Sequence, residues 1–342
     1  MAMNHSFGDH VLMYEEWRPT STSSAWDIAQ GILCLVTGLF GFIGNCFAFG
    51  YFHGKRDLAS QLYKHICCMD IMICLGQIPV IQALLSGRNP GMFNNKMFCD
   101  IWNFLFDTIF RFYPMAVLLL SASRTVAIVL PFYRIKKWQV ITLLYVCLLY
   151  SGLRQGGLLL AGFLSVYGAD TATCYPIPGD DLTDSQNFIV QMDYFLLSTD
   201  VTLPGILIFI SFVISTIKLL SKSKVSSAQA RHCRAAITIT IFTGVFLLCF
   251  LPFCAMFTLL AISTVIYKDE VHNYKPFSNS FINWYAWTLS GFFMNTLNAS
   301  LVVVVYLTRM NNFRSWLTHL MWRRTAIAPS SASEIRCTSA AA

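Results

Sequence analysis

Among the ionisable side chains inside long apolar stretches of the chain are Asp70, Asp107, Arg111, Arg124, Arg154 and Asp200. A charge in apolar surroundings is costly unless it is paired or hydrated, so each marks a place where the sequence needs electrostatics. Asp107 and Arg111 are four residues apart, which on a helix puts them on one face. They fit a structural pairing, Asp107 with Arg111 or Arg111 with Asp200, and they fit equally a cavity in which both signs hold a ligand. Trp102, Phe106, Phe110, Phe253, Phe257 and Phe292 supply either the aromatic walls of such a cavity or ordinary core packing. Both charge signs within aromatic walls suit a small zwitterion, a short peptide or an amine-like molecule. Asp70 has Asn45 and Asn298 as its natural polar partners, in a buried network of three. No arrangement points to catalysis: there are no paired GxGD-type aspartates, no HExxH and no Ser–His couple in facing stretches, so no enzyme is expected. No CxxC or His/Cys spacing suggests a metal site.

These side chains have to be positioned by the apolar stretches themselves. With 56% hydrophobic residues, 12% charged residues and a mean hydropathy of +0.56, a soluble domain of 342 residues would carry more apolar surface than it could bury. Seven stretches, Trp26–Phe52, Ala59–Leu85, Lys96–Leu130, Val140–Leu164, Asp193–Leu220, Ala235–Ile266 and Phe281–Leu307, each reach the roughly 20 residues that a helix needs to cross a bilayer. They are too long and too continuously apolar for the strands of a membrane barrel. The expected fold is therefore an all-α membrane protein, a bundle of seven transmembrane helices.

Charge gives the bundle its orientation. Lys55 and Arg56 follow the first stretch, Arg134, Lys136 and Lys137 the third, Lys222, Lys224, Arg231 and Arg234 the fifth, and Arg309, Arg314, Arg323 and Arg324 the seventh. Alternate loops are thus basic and belong in the cytoplasm, while the opposite loops carry Asp180, Asp181, Asp269 and Glu270. An N-terminus outside and a C-terminus inside follow. The net charge of +7 is spread along this pattern, so no nucleic-acid partner is expected. Met1–Ser24 lacks the apolar core of a cleavable signal, which leaves the first span as an uncleaved anchor. Asn4, in Asn4-His5-Ser6, is an acceptor for glycosylation on the outer side. Of twelve cysteines, only Cys99 and Cys174 face an oxidising compartment, and a bridge between them is expected. Beyond the last span, Phe313, Trp316, Leu317 and Leu320 share one helical face with arginines around it, the pattern of a short amphipathic eighth helix lying in the interface.

Single motifs in these spans are weak, but their joint register resembles the rhodopsin-like (class A) G-protein-coupled receptors, in the form of a divergent member. Gly44-Asn45, Asp70 and Pro79 match that family's first and second spans. Arg124 lies 124 − 99 = 25 positions after Cys99, with Ala127–Phe132 continuing the pattern, and Pro204 matches the fifth-span proline. Phe246, Cys249, Phe250, Leu251 and Pro252 match the sixth-span toggle region. Asn298 through Tyr306, with Phe313 seven residues on, is in register with NxSLNPxxY, the Asn-Pro being replaced by Val302-Val303. The acid before Arg124 is Ser123, the Tyr after it is Thr125, the toggle Trp is Phe250 and the fifth-span Tyr is Phe212. Thr296 stands where retinal-binding members carry a lysine.

The resemblance implies a plasma-membrane receptor that binds an extracellular ligand and activates heterotrimeric G proteins by opening the cytoplasmic end of the bundle. Its switch would comprise Arg124, Ser123, Phe246, Phe250, Pro252 and Tyr306. It implies arrestin and receptor kinases acting on the Ser/Thr-rich tail. It also puts a sodium ion beside Asp70, although Tyr113, Ala299 and Val302 stand at the other ligand positions. The segments expected are an extracellular tail over 1–25, the bundle over 26–307, the eighth helix over 308–324 and a disordered cytoplasmic tail over 325–342. Two alternatives are a polytopic transporter or channel subunit, whose interior would also hold charges, and a receptor-like protein that has lost signalling.

Overall fold

The computed structural model describes residues 25–78, 81–82, 85, 96–130, 133, 135–158, 184–221, 236–252, 254–255 and 284–325. Some side chains inside the helices, those of Cys99 and Phe292 among them, lie outside that description. The described residues form eight helices and no strand: α1 Ala25–His53, α2 Leu58–Gly76, α3 Lys96–Val129, α4 Lys137–Leu158, α5 Asp184–Ser221, α6 Ala236–Pro252, α7 Trp284–Arg309 and α8 Asn311–Thr325. Asn4, Cys174, Phe253 and Phe257 lie outside the described residues, as do Pro79, His232 and the segments before 25 and after 325.

Ile28–His53, Leu58–Gly76, Phe104–Val129 and Thr199–Leu220 are each long and apolar enough to cross a bilayer unaided. The helix bounds differ from the apolar runs in both directions: α2 ends at Gly76 with Gln77 as its C-cap, short of the expected Leu85, while α5 runs past its apolar run. α5 begins at Asp184, well ahead of the apolar run that starts near Asp193, and its 38 residues span roughly 57 Å at 1.5 Å each, longer than a bilayer core is thick. Pro114 and Pro204 stay inside α3 and α5 without ending them, as prolines do where neighbouring helices surround the broken turn. α2 starts sharply because the Asp57 side chain accepts a hydrogen bond from the Ser60 amide at 3.0 Å, the arrangement of an N-cap.

α3 lies at the centre, packed against α2, α4 and α5, while α7 packs against α1 and α2. α6 joins through rings: Phe242 meets Tyr63, Phe246 meets Tyr113 and Phe250 meets Phe110. Leu62, Ile66, Ala116, Leu120, Leu144, Ile208, Phe242, Val302 and Tyr306 have no exposed surface and form the interior. The outward faces are equally apolar. Val36 on α1, Leu153 on α4, Ile217 on α5 and Leu248 on α6 are exposed by 60%, 67%, 59% and 71%, a bare belt that water would oppose and that lipid accepts. After Arg309 the chain bends by 94°, so α8 leaves the bundle sideways with Phe313 buried against Tyr51 and Tyr306.

Candidate functional site

In the half of the bundle away from Arg124, α3, α4 and α5 bring three charges together. Asp200 on α5 receives Arg111 from α3 at 3.4 Å and also pairs with Arg154 from α4. Tyr150 adds a hydrogen bond to the other carboxylate oxygen at 3.3 Å. Arg111 is 1% exposed and Asp200 10% at their side chains, so these are buried ion pairs, whose loss is expensive even where their net contribution is small. The pairing across helices that the sequence left open to Arg111, with Asp200, is present in the structure. Asp107, one turn before Arg111, accepts from Gln155 Nε2 at 3.0 Å. Tyr150 and Gln155 carry no charge and no motif, and nothing in the sequence singles them out.

A ladder of rings connects this region to α6. Phe98, Trp102, Phe106 and Phe110 follow one another at four-residue intervals on α3, stacked with centroids 6.1, 6.1 and 6.2 Å apart. Phe110 meets Phe250 at 6.3 Å, and Phe250 stacks on Phe246 at 4.6 Å. Gly76 permits the approach of α2 to the ladder, since a Cβ there would fall 2.7 Å from the Phe106 ring. Trp102, Phe106 and Phe110, read in the sequence as pocket wall or core, are thus neighbours in one stack, to which Phe98 has to be added.

Asp70 is fully buried below the ladder. The Tyr113 hydroxyl donates to its Oδ1 at 2.7 Å and accepts from Asn298 Nδ2 at 2.7 Å, so Tyr113 stands between the two residues expected to be partners. Asn45 differs from expectation: it does not bond Asp70 but donates to the carbonyls of Gly41 at 2.9 Å and Ala299 at 3.1 Å, tying α1 to α7. The sequence placed Asn45 by its kind, and the geometry turns it toward backbone acceptors nearer to it. The Tyr113 ring meets Phe246 edge-on at 5.5 Å, which continues the ladder to Asp70.

At the opposite end of the bundle, Arg124 lines a narrow cleft between α3, α5 and α6 with a cavity volume of about 10 Å³, where Ser121, Ser211, Ser215, Thr240 and Thr243 supply hydroxyls and Phe212 an apolar wall. Arg124 makes no hydrogen bond or ion pair to any described residue. Ser123 turns its hydroxyl back to the Leu120 carbonyl at 2.8 Å, leaving the arginine unrestrained by its neighbour. Thr125 bridges to α5 through the Ser211 carbonyl at 3.2 Å and Ser215 Oγ at 2.9 Å, a clasp that the sequence pattern does not announce. Tyr306 is buried among Phe52, Tyr63 and Phe313, and the Cys67 thiol lies 3.7 Å from its hydroxyl. Pro252 closes α6. Outside the bundle interior, Asp57 has its carboxyl held below the ordinary carboxylate value. Burial pushes it up, but hydrogen bonds from Ser60 and from its own amide, with the Lys55 charge, outweigh that.

Residues 44–292 match the profile of the 7 transmembrane receptor (rhodopsin family). A search of curated proteins found no match. Among solved structures, the crystal structure of squid rhodopsin is similar with a TM-score of 0.63 at 14% identity, over 93% of this chain and 94% of that one. At that identity the likeness is one of fold: a seven-transmembrane bundle carrying an eighth helix. The profile covers well over half of the sequence, and with the central α3, the ladder to α6 and the inner cleft at Arg124 it places this multi-pass membrane protein in the rhodopsin family of seven-transmembrane receptors.

Proposed function

We propose that the chain works at the plasma membrane, N-terminus outside and C-terminus inside, as a receptor that turns occupancy of its outer half into an opening of the cleft at Arg124 for a heterotrimeric G protein. The observation that carries this reading is the state of Arg124: a guanidinium at the inner end of α3, lining a cleft bounded by α5 and α6, with no acidic group among the described residues to hold it. A cation in that position is available to a partner as soon as α6 moves away. The stacked rings from Phe98 to Phe246 are a continuous, close-packed route by which displacement near α3 and α5 reaches α6.

The ligand we infer is a small zwitterion, a short peptide or an amine-like molecule. Arg111, Arg154, Asp200 and Asp107 offer both signs of charge beside aromatic surface, and a zwitterion exchanges with such pairs without leaving a charge buried alone. Arrestin and receptor kinases are further partners, acting on the Ser/Thr-rich tail.

The second reading, a receptor-like protein without signalling, draws on α7. Val302 and Val303 leave that helix without a proline, and Val303 is wedged against Gly44 of α1. G-protein dissociation measured in cells expressing the chain, with and without Arg124→Ala, separates the two. Output that depends on Arg124 supports the receptor. Silence of both at good surface expression supports the alternative.

A further inference from the structure

Asp70, Tyr113 and Asn298 come from α2, α3 and α7 and meet at one hydroxyl. The Tyr113 phenol donates to Asp70 Oδ1 and accepts from Asn298 Nδ2, both at 2.7 Å, with Tyr113 only 3% exposed. Both bonds are short and well buried, and the one to a carboxylate is of the stronger, charge-assisted kind. Similar receptors place a sodium ion against this aspartate, so the residues here have to be tested for that fit. A hard cation collects about six oxygen ligands. The oxygens at this node that make no hydrogen bond to a described residue are three, Asp70 Oδ2, Asn45 Oδ1 and Asn298 Oδ1. The other ligand positions offer carbon: Ala299 and Val302 are both fully buried and bring only methyl groups. Tyr113 itself puts a ring where a small hydroxyl side chain would leave room. The residues present do not fit the ion.

We propose that the Tyr113 hydroxyl is the latch that holds α2, α3 and α7 together in this chain, in the place of a sodium ion, and that Phe246, edge-on to the Tyr113 ring, carries the release of that latch to α6. Tyr113 is thus a positioning residue. It joins the polar node to the aromatic ladder in one side chain, where an ion would need separate residues for the two tasks. The proposal rests on the reading of α6 as the moving element, but the latch can be tested without any signalling readout, because two thiols report on it. Cys67 and Cys74 lie one helical turn either side of Asp70 and are buried, with 0% and 5% exposure.

The experiment uses the full chain purified into phosphatidylcholine nanodiscs, compared in sodium chloride and in choline chloride at equal ionic strength. Two quantities are read: the thermal midpoint, and the rates at which Cys67 and Cys74 react with a maleimide, resolved by peptide mass spectrometry. For the wild type we expect the same midpoint and the same rates in the two salts. Tyr113→Phe keeps the ring against Phe246 and removes both hydrogen bonds, and is expected to raise both thiol rates several-fold. A wild-type midpoint that is higher in sodium than in choline would overturn the proposal, as would Tyr113→Phe with unchanged thiol rates. The salt comparison needs only wild-type protein, so it decides even if the variant fails to fold. Loss of G-protein activation leaves both readouts intact, which keeps a failure of the receptor reading distinct from a failure of the latch.

Discussion

Val303 lies in the notch that Gly44 leaves on α1: a methyl group added at Gly44 would come within 2.4 Å of Val303 Cγ1 and 2.6 Å of Cγ2. The two helices approach this closely because one of them offers no side chain, and a β-branched residue with little rotamer freedom fills the space. The valine that replaces proline in α7 is therefore also one of the residues that fix α7 to α1, beside the Asn45 bond to the Ala299 carbonyl.

Gly44→Ala is accordingly expected to destabilise the receptor by about 1–3 kcal/mol, the usual penalty for overpacking. Val303→Ala in the Gly44→Ala background should recover most of the loss. Thermal midpoints of the two single variants and the double variant measure the coupling, and simple additivity would contradict the packing described.

Asp200 serves two arginines, so its removal has a different consequence from the removal of either. Asp200→Asn leaves two buried guanidinium groups without their shared carboxylate and should cost about 3–5 kcal/mol, the range for breaking a buried pair from one side. Arg154→Gln leaves Arg111 on Asp200 and should cost clearly less. Surface expression and thermal midpoints of the two variants, taken side by side, give the order.

The N-cap of α2 gives a pH dependence. Asp57 has its carboxyl lowered in the folded protein, so the stability it contributes is present above the ordinary carboxylate value of 3.8 and is lost as pH falls through the lower, folded value. Asp57→Ala removes the bond to the Ser60 amide and should lower stability by about 1 kcal/mol at neutral pH. The difference between wild type and variant should shrink in acid, as followed by thermal midpoints across a pH series.

How much of this could be read from the chain depended on whether a relationship lay along a helix or between helices. Arg124, Phe246, Phe250 and Pro252 were singled out by spacing along their own spans, and Trp102, Phe106 and Phe110 by ring type, while Phe98, on the same four-residue period, was missed. The eight-helix order was legible for the same reason, from apolar length and the arginine-bordered face beyond the seventh span. Which partner each polar group finds was not. Tyr113 reaches Asp70 across 43 residues and Asn298 across 185, and Asn45 turns to backbone carbonyls that no pattern of side chains reveals. Arg111 had an acid on its own helix and another on α5, and the contact with Asp200 depends on how α3 and α5 pack, which no spacing along one helix gives. The start of α5 at Asp184 escaped because polar residues extend a helix that the bilayer argument ends at the apolar boundary.

α8 is held by rings rather than by charge. Phe313 lies 5.2 Å from Tyr51 and 6.1 Å from both Tyr306 and Trp316, and is 1% exposed. Phe313→Ala should lose about 3–5 kcal/mol of packing at this joint. Amide hydrogen exchange is expected to speed up across 311–325 while α3 and α5 keep their protection.

In the proposed reading, the freedom of Arg124 sets the resting behaviour of the bundle. A guanidinium with no restraining acid among the described residues predicts a weakly held inactive state, and so ligand-free output. The direct measurement is G-protein dissociation in ligand-free cells at matched surface expression for wild type, Arg124→Ala and Ser123→Asp. Wild type should give output above untransfected cells, Arg124→Ala should abolish it, and Ser123→Asp, which puts a carboxylate beside the arginine, should reduce it. A silent wild type, or output that persists unchanged in Arg124→Ala, would contradict the role given to this arginine.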